Sequence, residues 1–539
     1  MTSNDALLRR KLGGLSLAAI TFSNMLGSGW LFAAYYAAKL AGPLSLLSWV
    51  IAGIATSLIA VVFVELGLTR PLSGGNVRWP HLASGPFVGA LVGWIAFLQV
   101  AIGAPSEAAG LLQYGQRWWP GLFDGEELNG LGLLVAVAVM VGFAAVNYFG
   151  VTLLARVNNA ITVGKVLIPF VTVALFIAAG FDTANLSETA GFAPYGTASA
   201  LSAVIGGGLI YAFGGIHSAA TLSGEARDPR RDVARGTFLG FGLAFVLYLG
   251  LQAALIGAVP QSLLGDGWQG LNFHSPFAQL AVLVNLTWLS WLLLADAVVS
   301  PAGSLFVGIG INTRVTYGLA QNGVFPPAVG TVHPRSGIPR RALALNIAVA
   351  AVCLLLFGSW HALVSALGVF FAVGYAAISV AVMVFRRTDG ARPWARGLPV
   401  IAPASFVISV LITYWSGWQQ MRTAIVLFLL ALPLYALRAA TRRDRLGLRA
   451  VRHGLWLCYL MLFVAAVSYV GSFGGHGLLA APWDSLLVGA AALGFYHYGV
   501  RAGLAWQRER AAAPGPGDEP VTAPDSGAAF MERRPRTKG

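Results

Sequence analysis

The stretch Asn24-Met25-Leu26-Gly27-Ser28-Gly29-Trp30 lies in the middle of the first long apolar run of the chain and places two glycines and a serine where a membrane helix has its centre. Glycine in a helix interior costs about 1 kcal/mol relative to alanine. Backbone that leaves the helix at bilayer depth is tolerated only where it lines a protein cavity or water. A counterpart occurs in the sixth apolar run, where Gly206, Gly207 and Gly208 precede Tyr211-Ala212-Phe213-Gly214-Gly215-Ile216-His217-Ser218. Either stretch alone can serve close helix packing through small residues. Their recurrence at the first run of two successive five-run units points instead to a pair of broken helices framing a substrate site.

The rest of the chain fits a membrane. Of 539 residues, 57% are hydrophobic and only 10% charged, and the mean hydropathy is +0.71; soluble domains carry about 25% charged residues. The net charge of +14 is spread between apolar runs, which excludes the clustered basic face of a nucleic-acid binder and fits Arg-rich cytoplasmic loops. Cys353 and Cys458 lie within apolar runs, so neither a disulfide framework nor a metal site is indicated. No metal cluster, nucleophile triad or phosphate loop has a workable spacing, and His333 and His361 stand alone in the sequence. The chain therefore reads as neither an enzyme nor a cofactor protein.

Runs of spanning length fall at about 13–38, 43–69, 86–116, 130–149, 158–180, 198–224, 235–259 and 276–311, then at about 340–358, 362–385, 399–418, 422–439, 455–472 and 484–502, roughly fourteen in all. Alternate connections are basic (Arg9, Arg10 and Lys11; Arg70 and Arg78; Arg227, Arg230 and Arg231; Arg386 and Arg387), and the intervening ones carry Asp124, Glu126, Glu127, Asp182 and Asp266. This pattern places both termini in the cytoplasm of a multi-pass cell-membrane protein. The expected organisation is a cytoplasmic N-terminus (1–12), a first repeat of five helices (13–180), a second (198–385), accessory helices (399–502), and a Pro- and charge-rich tail (505–539) unable to bury enough apolar surface to fold.

A broken helix exposes free N–H groups at the start of its second half and free carbonyls at the end of its first. The amides of Gly27, Ser28 and Gly29 then suit a carboxylate, and carbonyls near Ala212, Phe213, Gly214 and Gly215 suit an ammonium. An α-amino acid presents both groups. Phe213 is a candidate gate over such a ligand, and His217, of a residue type that when unperturbed titrates near neutral pH, is either a site residue or a packed neutral one.

Ionisable residues inside the apolar runs extend the list. Lys165, in the fifth run, is either a proton carrier or an amine tying its helix to neighbouring carbonyls. Glu107 in the third run and Asp296 in the eighth are candidates for a substrate ammonium or a proton. Counting from the helix starts places Glu107 towards the outer end of its helix and Asp296 deeper, which argues against a direct pair. Ser300 and Ser304 share one face of the eighth helix, Ser304 as a substrate contact and Ser300 as a partner of the proton site. Glu65, at the end of the second run, reads as a structural partner for a loop arginine.

These stretches resemble the amino acid–polyamine–organocation (APC) transporter family over about 13–440. The resemblance rests on Gly27-Ser28-Gly29, on Val64-Glu65-Leu66 leading to Pro71-Leu72-Ser73-Gly74-Gly75, and on Gly224-Glu225-Ala226-Arg227-Asp228-Pro229. It rests also on Thr313-Arg314 through Gln321-Asn322-Gly323-Val324-Phe325-Pro326. Gly75-Asn76-Val77-Arg78-Trp79-Pro80 and Asp296-Ala297-Val298-Val299-Ser300-Pro301 look most like its aspartate–proton symporter branch. The resemblance implies an all-α, leucine-transporter-like five-plus-five inverted repeat with accessory C-terminal helices, and a lysine at the place of Lys165 where sodium-driven relatives bind their ion. Many relatives carry Glu where this chain has His217. The expected activity is proton-coupled amino acid symport by alternating access; the alternatives are amino acid or amine exchange in the same fold, or substrate sensing. The expected partners are an amino acid, protons and the lipid bilayer.

Overall fold

A computed structural model describes residues 12–512 apart from 73, 150, 188–190, 322–323, 334–338, 391–392 and 443–444. The N-terminal residues through Lys11, Ser73, Asn322, Gly323 and the tail beyond 512 therefore lie outside the described residues. The chain begins with α1 (Gly14–Met25) and α2 (Gly29–Ala41), then α3 (Ser45–Thr69), the short α4 (Gly75–Ser84), α5 (Pro86–Tyr114), a small hairpin of β1 (Phe123–Asp124) and β2 (Glu127–Leu128), α6 (Gly130–Phe149), α7 (Val151–Gly180) and α8 (Ala184–Ser187). After α9 (Ala198–Gly206), α10 (Leu209–Ala212) and α11 (Ser218–Thr221) come α12 (Pro229–Ala258), α13 (Pro276–Leu283), α14 (Thr287–Gln321), α15 (Arg340–Phe357) and α16 (Trp360–Asp389). The last are α17 (Leu398–Trp415), α18 (Trp418–Leu429), α19 (Ala431–Arg442), α20 (Arg445–Val470) and α21 (Trp483–Ala512).

Among the described residues nine helices are long and apolar enough to cross a membrane, or ten with the bent pair of the sixth run. One of the nine, Gly29–Thr69, has 41 residues, about 60 Å at 1.5 Å per residue. The hydrocarbon core is about 30 Å thick. Because Gly42 turns the chain there with φ +60°, this stretch holds the second half of the first crossing, α2, and the whole of the second, α3.

Small residues set the closest helix approaches. α1 lies on α12, where a Cβ on Gly240 would stand 2.7 Å from the Ala18 carbonyl oxygen. α5 runs through the centre, packed against α14 on one side and α16 on the other. α7 packs on α12 and α14. On the face that carries Arg70, the Arg70 guanidinium pairs with Asp389 at 2.7 Å and lies over the Phe385 ring. Buried Glu65 accepts from the backbone amides of Trp394 (3.2 Å) and Ala395 (3.0 Å). Its partners are thus main-chain donors beyond α16, where an arginine was expected.

The end of the chain also departs from expectation. α21 continues past 505 to Ala512, because this stretch has something to dock on. The Trp506 ring covers Gly85, and Gln507 donates to the carbonyls of Leu82 and Ala83 (2.5 and 3.0 Å). Arg452 reaches Glu509 at 2.5 Å. Trp506→Ala is expected to destabilise the protein by about 3 kcal/mol, read as a lowered Tm in detergent; an unchanged Tm would show that the docking is superficial.

Candidate functional site

α1 ends at Met25, Leu26 leaves helical geometry (φ −87°, ψ 73°) and α2 starts at Gly29. A carboxylate already sits in this gap. Glu107 of α5 accepts from the Ser28 amide at 3.1 Å and from the Tyr211 hydroxyl at 2.7 Å. The Ser28 hydroxyl lies 3.3 Å from that of Tyr211 and accepts from Trp360 Nε1 at 2.8 Å. Gly27 is required by this arrangement, since a Cβ there would be 2.6 Å from Glu107 Oε1. Glu107 is buried and stands beside the break, seven residues before the end of its helix at Tyr114, in the part of α5 that the sequence count gave it. The Ser28 amide, read from sequence as a seat for a ligand carboxylate, is held by the chain's own carboxylate.

The second break starts at the glycines that the sequence marks. The sharp bend, 48° between Ala198–Gly206 and Leu209–Thr221, falls at Gly207 and Gly208, where Gly208 takes φ +77°. Ala212 to Gly215 follow it: α10 ends at Ala212, and Gly214–His217 forms a tight 3-10 turn. Gly215 presses on the first break, its missing Cβ lying 2.8 Å from the backbone of Asn24 and Met25. Gly29 meets the Tyr211 ring and Ala212 in the same way. The breaks are therefore in direct contact. The Tyr248 hydroxyl of α12 joins them, donating to the Met25 carbonyl at 2.6 Å with the Ala212 carbonyl at 3.4 Å.

Phe213 does not face the gap. It is buried among Trp49, Phe241 and Tyr248, with ring centroids 5.4–5.5 Å away, so the gating role read from sequence has no geometry behind it. Tyr211 and Trp360 occupy the positions over the break instead. His217 borders a narrow cleft with Phe63, Asn76, Gln99 and Tyr375. Its Nδ1 has no hydrogen-bond partner among the described residues.

The remaining candidates assemble around Lys165. Its ammonium donates to Ser304 at 2.7 Å, which moves Ser304 from the substrate to the lysine. Ser300 Oγ and Asp296 Oδ2 are buried without a hydrogen-bond partner among the described residues. Glu107 and Asp296 are the carboxylates that act electrostatically on Lys165. Neither forms a salt bridge with the amine among the described residues, and the amine lies under the influence of both. Sequence reasoning missed Tyr211, Tyr248, Trp49 and Trp360. Their one signal was a phenol or indole inside an apolar run, whose polar tip must find a partner when buried.

Two helices broken at mid-span, in contact, with an amine and two carboxylates beside them, define a membrane carrier for a small polar solute. The amino acid permease family model matches residues 12–437, and the chain belongs to that family. The glutamate/serine transporter AimA of Bacillus subtilis is 35% identical over 92% of this chain and 94% of its own length. The aspartate-proton symporter of the same organism is 31% identical over 93% and 98%, and its branched-chain amino acid permease BcaP 23% over 81% and 94%. The protein is an all-α, multi-pass amino acid transporter of the APC superfamily, not an enzyme.

Proposed function

We propose that the protein is a proton-coupled amino acid symporter that works by alternating access in the cell membrane, with both termini cytoplasmic. The observation that carries this reading is the set Lys165, Glu107 and Asp296 beside the first break. One amine faces two carboxylates, so full ionisation leaves one negative charge unbalanced where charge is costly. A substrate carboxylate that takes the Ser28 amide displaces Glu107 towards Lys165 and Asp296, and one proton neutralises the surplus. Substrate and proton then bind as a pair. The substrate ammonium goes to the carbonyls at the two breaks. The names of the relatives support a small polar or acidic amino acid.

The acidic hairpin face is the outer one on this reading, and the face with Arg70 and Asp389 the inner one. Uptake of a panel of radiolabelled amino acids into proteoliposomes, with and without an imposed proton gradient, tests it. Gradient-driven accumulation is expected. Accumulation that needs only an amino acid on the far side would make the protein an exchanger. Lys165→Ala is expected to remove the pH dependence of uptake, and unchanged proton-driven accumulation in that variant would sink the coupling role.

A further inference from the structure

α16 begins with two adjacent residues that each hold a different broken helix. Trp360 donates to Ser28 Oγ in the first break at 2.8 Å. His361 Nε2 meets the carbonyl of Gly206, the last residue before the second bend, at 2.5 Å. Neighbouring side chains on a helix point about 100° apart, so one turn can reach both. The Tyr36 ring of α2 stacks on both, 5.6 Å from Trp360 and 4.6 Å from His361. Tyr36 is pinned by Gln113 (3.0 Å) and by Glu126, which also pairs with Lys39 at 2.9 Å. A Cβ on Gly208 would stand 3.2 Å from Val364 and 3.5 Å from the Trp360 ring. The turn before α16 is fastened as well, with the Leu128 amide on the Gly358 carbonyl at 2.9 Å.

We propose that Trp360 and His361 form a single latch by which the first turn of α16 seats both broken helices and releases them together. The geometry makes the release concerted. A rigid displacement of that turn breaks both bonds at once, and neither break opens on the hairpin side while the turn and its Tyr36 cover stay in place. Trp360 and His361 are positioning residues, acting through Ser28 and Gly206. The proposal rests on reading the breaks as the moving parts of the transporter.

Hydrogen–deuterium exchange of the full chain in lipid nanodiscs, without substrate, separates a shared latch from two local contacts. Exchange is followed at 26–33 and 205–212. Trp360→Phe and His361→Ala are each expected to raise exchange in both segments, by roughly three- to tenfold for one lost hydrogen bond. His361→Gln, which keeps a donor, is expected to stay near wild type. If each variant raises exchange only in its own segment, or in neither, the latch is overturned. Because the rates are read without transport, a wild-type protein that moves no amino acid refutes the proposed function and leaves these rates to judge the latch.

Discussion

Replacing Glu107 with alanine is expected to lower amino acid uptake in proteoliposomes by about a hundredfold or more. The substitution leaves the Ser28 amide and the Tyr211 hydroxyl without their acceptor, each in a buried setting where an unmet donor costs about 1–3 kcal/mol. It also removes one of the two carboxylates acting on Lys165. Glu107→Gln separates these effects, because the amide oxygen still accepts from Ser28 while the charge is gone. That variant is expected to bind substrate but to lose accumulation driven by a proton gradient. Uptake by Glu107→Ala within fivefold of wild type would show that the carboxylate at the break is packing and not machinery.

Gly215→Val is expected to damage the folded protein severely. The first added atom would stand 2.8 Å from the carbonyl carbon of Asn24 and the amide nitrogen of Met25. Those are main-chain atoms and cannot rotate away, so the two breaks must separate. Overpacking of this kind costs about 3 kcal/mol or more, and both the yield of folded protein and its Tm in detergent should fall. Gly103 provides the contrast on α5: nothing lies within 4 Å of its missing Cβ, and Gly103→Ala is expected to leave both near wild type. Equal behaviour of the two variants would show that the contact between the breaks is not tight.

The first break was legible because two glycines and a serine in close succession weaken a helix at the depth where the lipid would otherwise hold it together. The second was harder. Gly206 to Gly208 and the pair Gly214 and Gly215 look alike in sequence, yet only Gly208 needs a positive φ, while Gly215 is there for close approach. Nothing in one sequence separates those reasons. Counting along α5 places Glu107 seven residues before the end of the helix, as found, but a single sequence does not show that the first break packs against that level of α5. Phe213 failed as a gate for a related reason, since the tight turn after Ala212 shifts the helical phase that would have told which way its ring points. Ser300 and Ser304 share a helix face, and only the position of Lys165 chose between them.

The Tyr248 hydroxyl has one proton and two carbonyls within reach. It can donate fully to only one, and at 2.6 Å against 3.4 Å the first broken helix holds it. A relative slide of well under an ångström would reverse that preference. The seam between the two halves of the site is therefore joined by a single proton, given to the first half with the second 3.4 Å away.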